Sequence, residues 1–377
     1  MITSTDNPKM TPDQMRQKCA NFETEFSKWV LGYPQIGRAL LMALLMPGRV
    51  RHIYAEGMPG LAKSHTMETV SRLVTGLVFQ RIQCHSELTP SQIIGGQVFD
   101  QETRKMKTVP GDIIGKHLVL ADEINRATPN AQGGFLQAMA EGRVSLPGMP
   151  ESYKMLDPFV LLATANPAEQ KGVYPLPEAQ WDRFFLKMVF PYVEEQYAKE
   201  MLLRPELTDG SCYAKMKAQL TLEELLEIRD YIKDNVHVSK AFIDYLYQVV
   251  DCTRPGQKYF EKLVADHPSV APVMNMIKRG EQWGGGAGPR AEQCLVMAAK
   301  IQAFLYGVDE HELPRHDRVL PSDLDSLLNP VLRARIILNP EAKWPDFQAN
   351  PVTTDQVINI IKAKVEPIRD PSAYKRK

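Results

Sequence analysis

GMPGLAKS, residues 57–64, decides the reading of this chain: an apolar strand run, Arg49 to Glu56, leads into it and a Lys-Ser pair closes it. It is a phosphate-binding loop complete but for one position, since the pattern G-x-x-x-x-G-K-[ST] asks for glycine where Ala62 stands. Such a loop aims successive backbone N–H groups, and the N-terminus of the next helix, at a polyphosphate. Gly57 and Gly60 allow the close approach and Pro59 stiffens the turn. Met58, Leu61 and Ala62 complete the cradle. Lys63 has the reach for β and γ phosphates, and the Ser64 hydroxyl suits a magnesium ion. Alanine at 62 is unstrained only in right-handed backbone, so this reading predicts that Ala62 starts the helix carrying Lys63 and Ser64. On these eight residues alone, a strand–turn–helix corner with a chance Lys-Ser is an equal reading.

HLVLADE, residues 117–123, is an apolar strand run that ends in two adjacent carboxylates. In a nucleotide hydrolase Asp122 would hold magnesium and Glu123 would polarise the attacking water. A buried strand emerging into a solvated acidic loop is the plainer alternative, and the phosphate loop upstream weighs against it. FVLLATANP, residues 159–167, is a third apolar run; its Asn166 could orient the lytic water, although Asn-Pro after a strand is by itself a turn signal.

Taken in order, EGMPGLAKS, LTPSQIIGGQVFD, LVLADEINRATPNAQ, TANPAEQKGVYPLPEAQWDRFFLK, GAGPRA and VLRARIIL resemble the MoxR branch of the AAA+ ATPases, over roughly Lys28 to Leu338. Members of that family often carry alanine at the position of Ala62. The resemblance implies that Arg183, in QWDRF, is an arginine finger supplied to a neighbouring subunit. It makes Arg290, in GAGPRA, the sensor arginine that reaches the nucleotide from a helical lid, and Asn166 the polar sensor. Gly32 stands where the family has a Val-Gly-Gln signature near the adenine, but the text reads LGYPQ and displaces the glutamine. Read from the residues alone, Arg183 pairs with Asp182 or lies along the rim. Arg290 opens a helical pattern with Cys294, Ala298, Ile301 and Leu305 on one face, where its charge opposes the helix dipole and calls for a partner anion.

Composition agrees. The chain has 377 residues, enough for two domains, and its 45 Lys and Arg balance 45 Asp and Glu, which removes any general attraction to nucleic acid. Five scattered cysteines, with no C-x-x-C pair, argue against disulfide and zinc frameworks. The opening MITSTDNPKM carries no signal sequence, and no apolar run approaches the roughly 20 residues of a membrane span, so the expected compartment is the cytoplasm.

The pattern divides the chain into a polar leader with one amphipathic stretch (1–27), an α/β domain (28–192) with a parallel sheet covered by helices on both faces, a smaller all-helical lid (193–340) and a tail (341–377). Thr221 with Glu224 has the form of a capping box and Ser239 precedes another helix; prolines and Gly284 to Gly286 suggest a loop-rich insertion over 253–288. Within the α/β domain, Leu88 to Gly111 resembles the family's projecting insertion. Val98 to Val109 could form a hairpin, though DQETRK lacks the turn glycine. Val144 and Leu146 in EGRVSLPG suggest a strand, and Arg143 there could face a neighbouring subunit. The expected function is magnesium-dependent ATP hydrolysis by a homo-oligomeric ring, a hexamer, that remodels or activates protein clients or metalloenzymes. Chelatase-like metal loading is a narrower version. The resemblance implies a partner with a von Willebrand factor A-type domain. A nucleic-acid-remodelling motor, and a nucleotide-gated assembly factor with incidental hydrolysis, are the alternatives.

Overall fold

The computed structural model describes residues 10–58, 60–166, 172–278, 285–308, 313–315, 317–339, 352–367 and 371–374. Helix α1 (Pro12–Trp29) starts where the Thr11 side chain accepts the Gln14 N–H, the Gln14 side chain returns to the Thr11 N–H, and Pro12 takes the first helical position. Met15, Cys19, Phe22 and Phe26, three and four residues apart, form its buried stripe. The segment read as a polar leader therefore holds a core helix from Pro12 onward. Helix α2 (Pro34–Leu45) is apolar nearly all round and buried accordingly.

Strands and helices then alternate: β1 (His52–Glu56), α3 (Lys63–Leu73), the two-residue β2 (Val74–Thr75), β3 (Phe79–Gln83), α4 (Pro90–Ile94), the hairpin of β4 (Gly95–Asp100) and β5 (Lys105–Pro110), β6 (Leu118–Asp122), α5 (Pro129–Glu141), the short arms β7 (Arg143–Val144) and β8 (Tyr153–Lys154), β9 (Val160–Ala165), α6 (Glu178–Trp181) and β10 (Phe184–Val189). Five strands make one sheet in the order β10-β1-β9-β6-β3, every pairing parallel. The two-residue period divides the strand side chains between the faces. Ile53, Ala55, Leu118, Leu120, Val160 and Leu162 pack toward α1, α2 and α3, whereas Tyr54, Val119, Ala121, Leu161 and Ala163 pack toward α5.

The insertion hairpin is longer than expected and turns without glycine: Arg104 takes the left-handed position, φ +51°, while Asp100 Oδ1 accepts the Glu102 and Thr103 N–H groups. The strand expected around Val144 and Leu146 is only β7, with Leu146 buried beyond it.

Beyond β10 the elements among the described residues are helices, apart from β11 (Leu220–Thr221), which pairs with β2, and three isolated bridges. The α-helices are α7 (Glu195–Leu202), α8 (Glu206–Asp209), α9 (Leu222–Asn235), α10 (Lys240–Asp251), α11 (Lys258–Asp266), α12 (Ala271–Met274), α13 (Pro289–Tyr306), α14 (Leu328–Leu332) and α15 (Thr354–Lys364). The Thr221–Glu224 capping box opens α9, and Ser239 accepts the Phe242 N–H to open α10. The segment expected to be loop-rich contains α11 and α12, with Phe260, Leu263 and Met274 buried; Pro272 stands in the first turn of α12, where a missing N–H costs nothing. Residues 279–284, including the first of the three glycines, and 341–351, 368–370 and 375–377 of the expected tail lie outside the described residues. No helix among the described residues is long and apolar enough to cross a membrane.

Candidate nucleotide site

Parallel register places the functional segments side by side. Glu56 pairs with Ala165, Ala121 with Ala163 and Asp122 with Gln83, so the chain leaves β1, β9, β6 and β3 at one end of the sheet. Ligands bind at such carboxyl ends in open α/β sheets.

The loop after β1 is tied to β9 by the Gly57 N–H, which donates to Ala165 O at 3.2 Å. A Cβ on Gly57 would stand 2.8 Å from Phe190 Cβ, so only glycine fits there. Ala62 corrects the expectation of right-handed backbone: its φ is +55° and ψ +23°, the left-handed region. A left-handed residue followed by helical Lys63 turns consecutive N–H groups into one concavity, which a right-handed Ala62 would close by extending the helix backward. Ala62 O is fixed by the Thr66 N–H and hydroxyl, each at 2.9 Å. Lys63 is buried and its Nζ donates to Gly57 O at 2.8 Å, across the mouth of the loop. Burial lowers its pKa, opposed by the charges of Asp122 and Glu123. Met58, Leu61 and Ser64 are half-buried; Pro59 lies outside the described residues.

One hydroxyl organises both acids. Thr164 Oγ1, on β9, donates to Asp122 Oδ1 at 2.7 Å and accepts the Glu123 N–H at 3.0 Å. Arg81 on β3 donates to Asp122 Oδ2 at 2.6 Å. Glu123 itself is left-handed, φ +58°, and its Oε2 lies 3.1 Å from both Gln83 Nε2 and Arg126 Nε. Sequence reading missed Thr164, Arg81, Gln83 and Arg126. The available signals were a lone hydroxyl within FVLLATA and the same-face pair Arg81 and Gln83 in FQRIQ.

Gly60, Ala62, Lys63, Ser64 and His65 face Arg81, Gln83, Asp122 and Glu123 across one open pocket of about 360 Å³. Basic donors and helix N-terminal amides on one wall, with two carboxylates on the other, suit a polyphosphate carrying a cation. Another cleft, about 250 Å³, is lined by Arg49, Arg51 and Phe159 at the opposite end of the sheet and has no phosphate loop. Asn166, only 6% exposed, follows β9 directly, between the strands that deliver the loop and the acids.

Residues 52–186 match the family model described as "ATPase family associated with various cellular activities (AAA)". The chain is 33% identical over 335 residues to Chaperone MoxR1 of Mycobacterium tuberculosis, covering 89% of this chain and 78% of that protein. The chain belongs to the MoxR family of AAA+ ATPases. Protein MoxR of Methylorubrum extorquens is 26% identical over 86% of this chain and 89% of its own. The crystal structure of a proposed ATPase from Cytophaga hutchinsonii matches with a TM-score of 0.77 at 29% identity, over 95% of this chain and 97% of that one.

The MoxR-family chain keeps two of its sequence-predicted arginines away from this pocket. Arg183 precedes β10, and Phe184 pairs with His52 at the start of β1, so Arg183 stands a full strand from the loop, about 17 Å along the sheet. Its Nη1 donates to Leu136 O at 2.7 Å. Arg290, in the first turn of α13, lies 3.5 Å from Asp182. Arg290 thus lies beside Asp182, just before β10, and not in the pocket formed by its own chain's loop. Gly32 has φ +82°, and a Cβ there would lie 2.9 Å from Val193 Cγ1. It serves close packing of the α1–α2 turn, while Gln35 is exposed.

Proposed function

We propose that this MoxR-family ATPase hydrolyses MgATP in a ring of identical subunits, a hexamer, and uses the cycle to remodel or activate protein clients in the cytoplasm. The observation that carries this is the split of the site. Lys63, Ser64, Asp122 and Glu123 converge on one pocket, while Arg183 and the Arg290 contact on Asp182 lie at the start of β10, at the far end of the sheet. A catalytic arginine a strand length from its own pocket serves a neighbour's.

Lys63 and the loop amides Gly57 to Ser64 bind the phosphates, Glu123 accepts a proton from the attacking water, and Asn166 orients it. Arg183 and Arg290 neutralise charge on the neighbouring subunit's γ-phosphate. Magnesium, when bound, would supply positive charge against that developing on the phosphates. Ser64 and Asp122 offer oxygen donors on facing walls for it. Among the described residues no three His, Cys, Asp or Glu form a metal cage, as befits a cation completed by phosphate and water. The division into an ATPase unit (28–192) and a helical unit (193–340) belongs to the same reading. So does a partner with a von Willebrand factor A-type domain; the chaperone name of the mycobacterial relative supports a protein client.

The test mixes two inactive variants. Arg183→Ala retains its own pocket, and Glu123→Gln retains its arginines, so mixed rings should recover ATPase activity that neither shows alone. Retained turnover in Arg183→Ala rings, or no recovery on mixing, would remove the trans assignment. Capture with Glu123→Gln and ATP identifies the client; stimulation by DNA alone would point to a nucleic-acid motor instead.

A further inference from the structure

We propose that Asp182 is a positioning residue that holds Arg183 and Arg290 as one unit, with Arg335 as its anchor. This rests on the reading that both arginines serve the neighbouring subunit's nucleotide.

Arg335, in the VLRARIIL stretch after α14, is 5% exposed. Its Nη2 donates to Phe184 O at 2.6 Å, and its Nη1 donates to Phe185 O at 3.3 Å and to Val331 O. The Phe184 and Phe185 carbonyls belong to β10, an edge strand of the sheet, and that of Val331 to α14, so the guanidinium ties the helix to the sheet edge. Its remaining direction, Nε, points at Asp182 Oδ1, 3.2 Å away. The second oxygen, Oδ2, faces Arg290 Nη1 at 3.5 Å. Arg183 follows Asp182 in the chain, and its buried Nε has no hydrogen-bond partner among the described residues.

The two ion pairs of Asp182 differ in kind. Arg335 is enclosed and multiply bonded, so its pair is fixed. The Arg290 side chain is 58% exposed and makes the longer contact, so solvent screens that pair and Arg290 is released at little cost. Two guanidiniums, of Arg335 and Arg290, share the one carboxylate, which leaves one positive charge uncompensated; Arg183, next in the chain, adds a second, and both are open to whatever anion approaches. Asp182 thus keeps Arg290 at the start of β10, where Arg183 follows in the chain, until a phosphate competes for it, and passes the position of the helical unit, through α13, to the arginine finger.

Asp182→Asn keeps the shape and removes the charge. In the assembled protein it should lower kcat roughly tenfold or more, because displacement by about an ångström costs up to a hundredfold, with KM for ATP within about twofold. Mixing with Glu123→Gln subunits should restore turnover, since those subunits present intact arginines. A merely structural lesion would not be relieved by mixing. Asp182→Glu, which retains the charge, should keep more activity than Asp182→Asn, and carries the same comparison should Asp182→Asn fail to bind ATP. Full kcat in Asp182→Asn overturns the proposal. So does a defect that mixing leaves in place while the Arg183→Ala defect is relieved. If mixing relieves neither, the trans reading itself falls.

Discussion

Replacing Ala62 by glycine tests the loop geometry through the sign of its effect. Alanine held at φ +55° bears the left-handed penalty, about 1–2 kcal/mol, which Ala62→Gly removes. Glycine returns about 0.5–1 kcal/mol of that through the greater freedom of the unfolded chain. The net expectation is a gain of about 0.5–1 kcal/mol. In right-handed backbone the same change would cost about 0.5–1 kcal/mol, so the two geometries differ in direction. Urea unfolding followed by tryptophan fluorescence reads this. Trp29 is well placed for it, because its carbonyl meets the His65 ring of α3 at 2.8 Å. The midpoint should rise at unchanged slope, and ATP affinity should hold, since glycine adopts the same angles. A lowered midpoint would refute a strained Ala62 and return the loop to the right-handed form.

Two further outcomes follow from buried groups. Thr164→Val preserves shape but takes the hydroxyl from Asp122 Oδ1 and the Glu123 N–H; unfolding titrations should show a loss of about 1–3 kcal/mol and steady-state assays a reduced kcat, whereas unchanged values in both would mean the hydroxyl organises nothing. Burial pushes the His52 pKa from its ordinary 6.5 down to about 3, while its Nδ1 accepts the Leu161 N–H at 3.0 Å. Between those values the unfolded chain binds a proton that the folded one refuses. This contribution is therefore complete above pH 6.5 and is lost as pH falls toward 3, at up to about 1.4 kcal/mol per pH unit. His52→Gln should flatten the acid limb of the stability profile relative to the parent chain, and parallel profiles would count against a neutral buried imidazole.

What the sequence disclosed were features that the local backbone must carry itself. The phosphate loop, the acids at the tip of β6 and Asn166 after β9 each need particular residues in a particular short order, so they were legible. Thr164, Arg81 and Gln83 act on Asp122 and Glu123 across strands, and their role exists only once the register β9-β6-β3 is known. The leader's amphipathic stretch was legible but its place in the core was not, because one buried stripe is spread over 18 residues whose other face is charged. Prolines in the first turns of short elements made 253–288 look like loop. The placement of Arg290 depends on how the first turn of α13 meets Asp182 before β10, a tertiary choice that no local pattern encodes. At Ala62 residue preference argued for one backbone region, and the curvature needed to gather N–H groups prevailed.

The central claim is that Glu123 activates water in a pocket that binds ATP without it. Measuring ATP affinity and phosphate release side by side for Glu123→Gln tests that most directly. The account predicts affinity within a few-fold of the parent chain, with turnover lower by about 10²–10⁴. Turnover at the parental rate with normal affinity would contradict it.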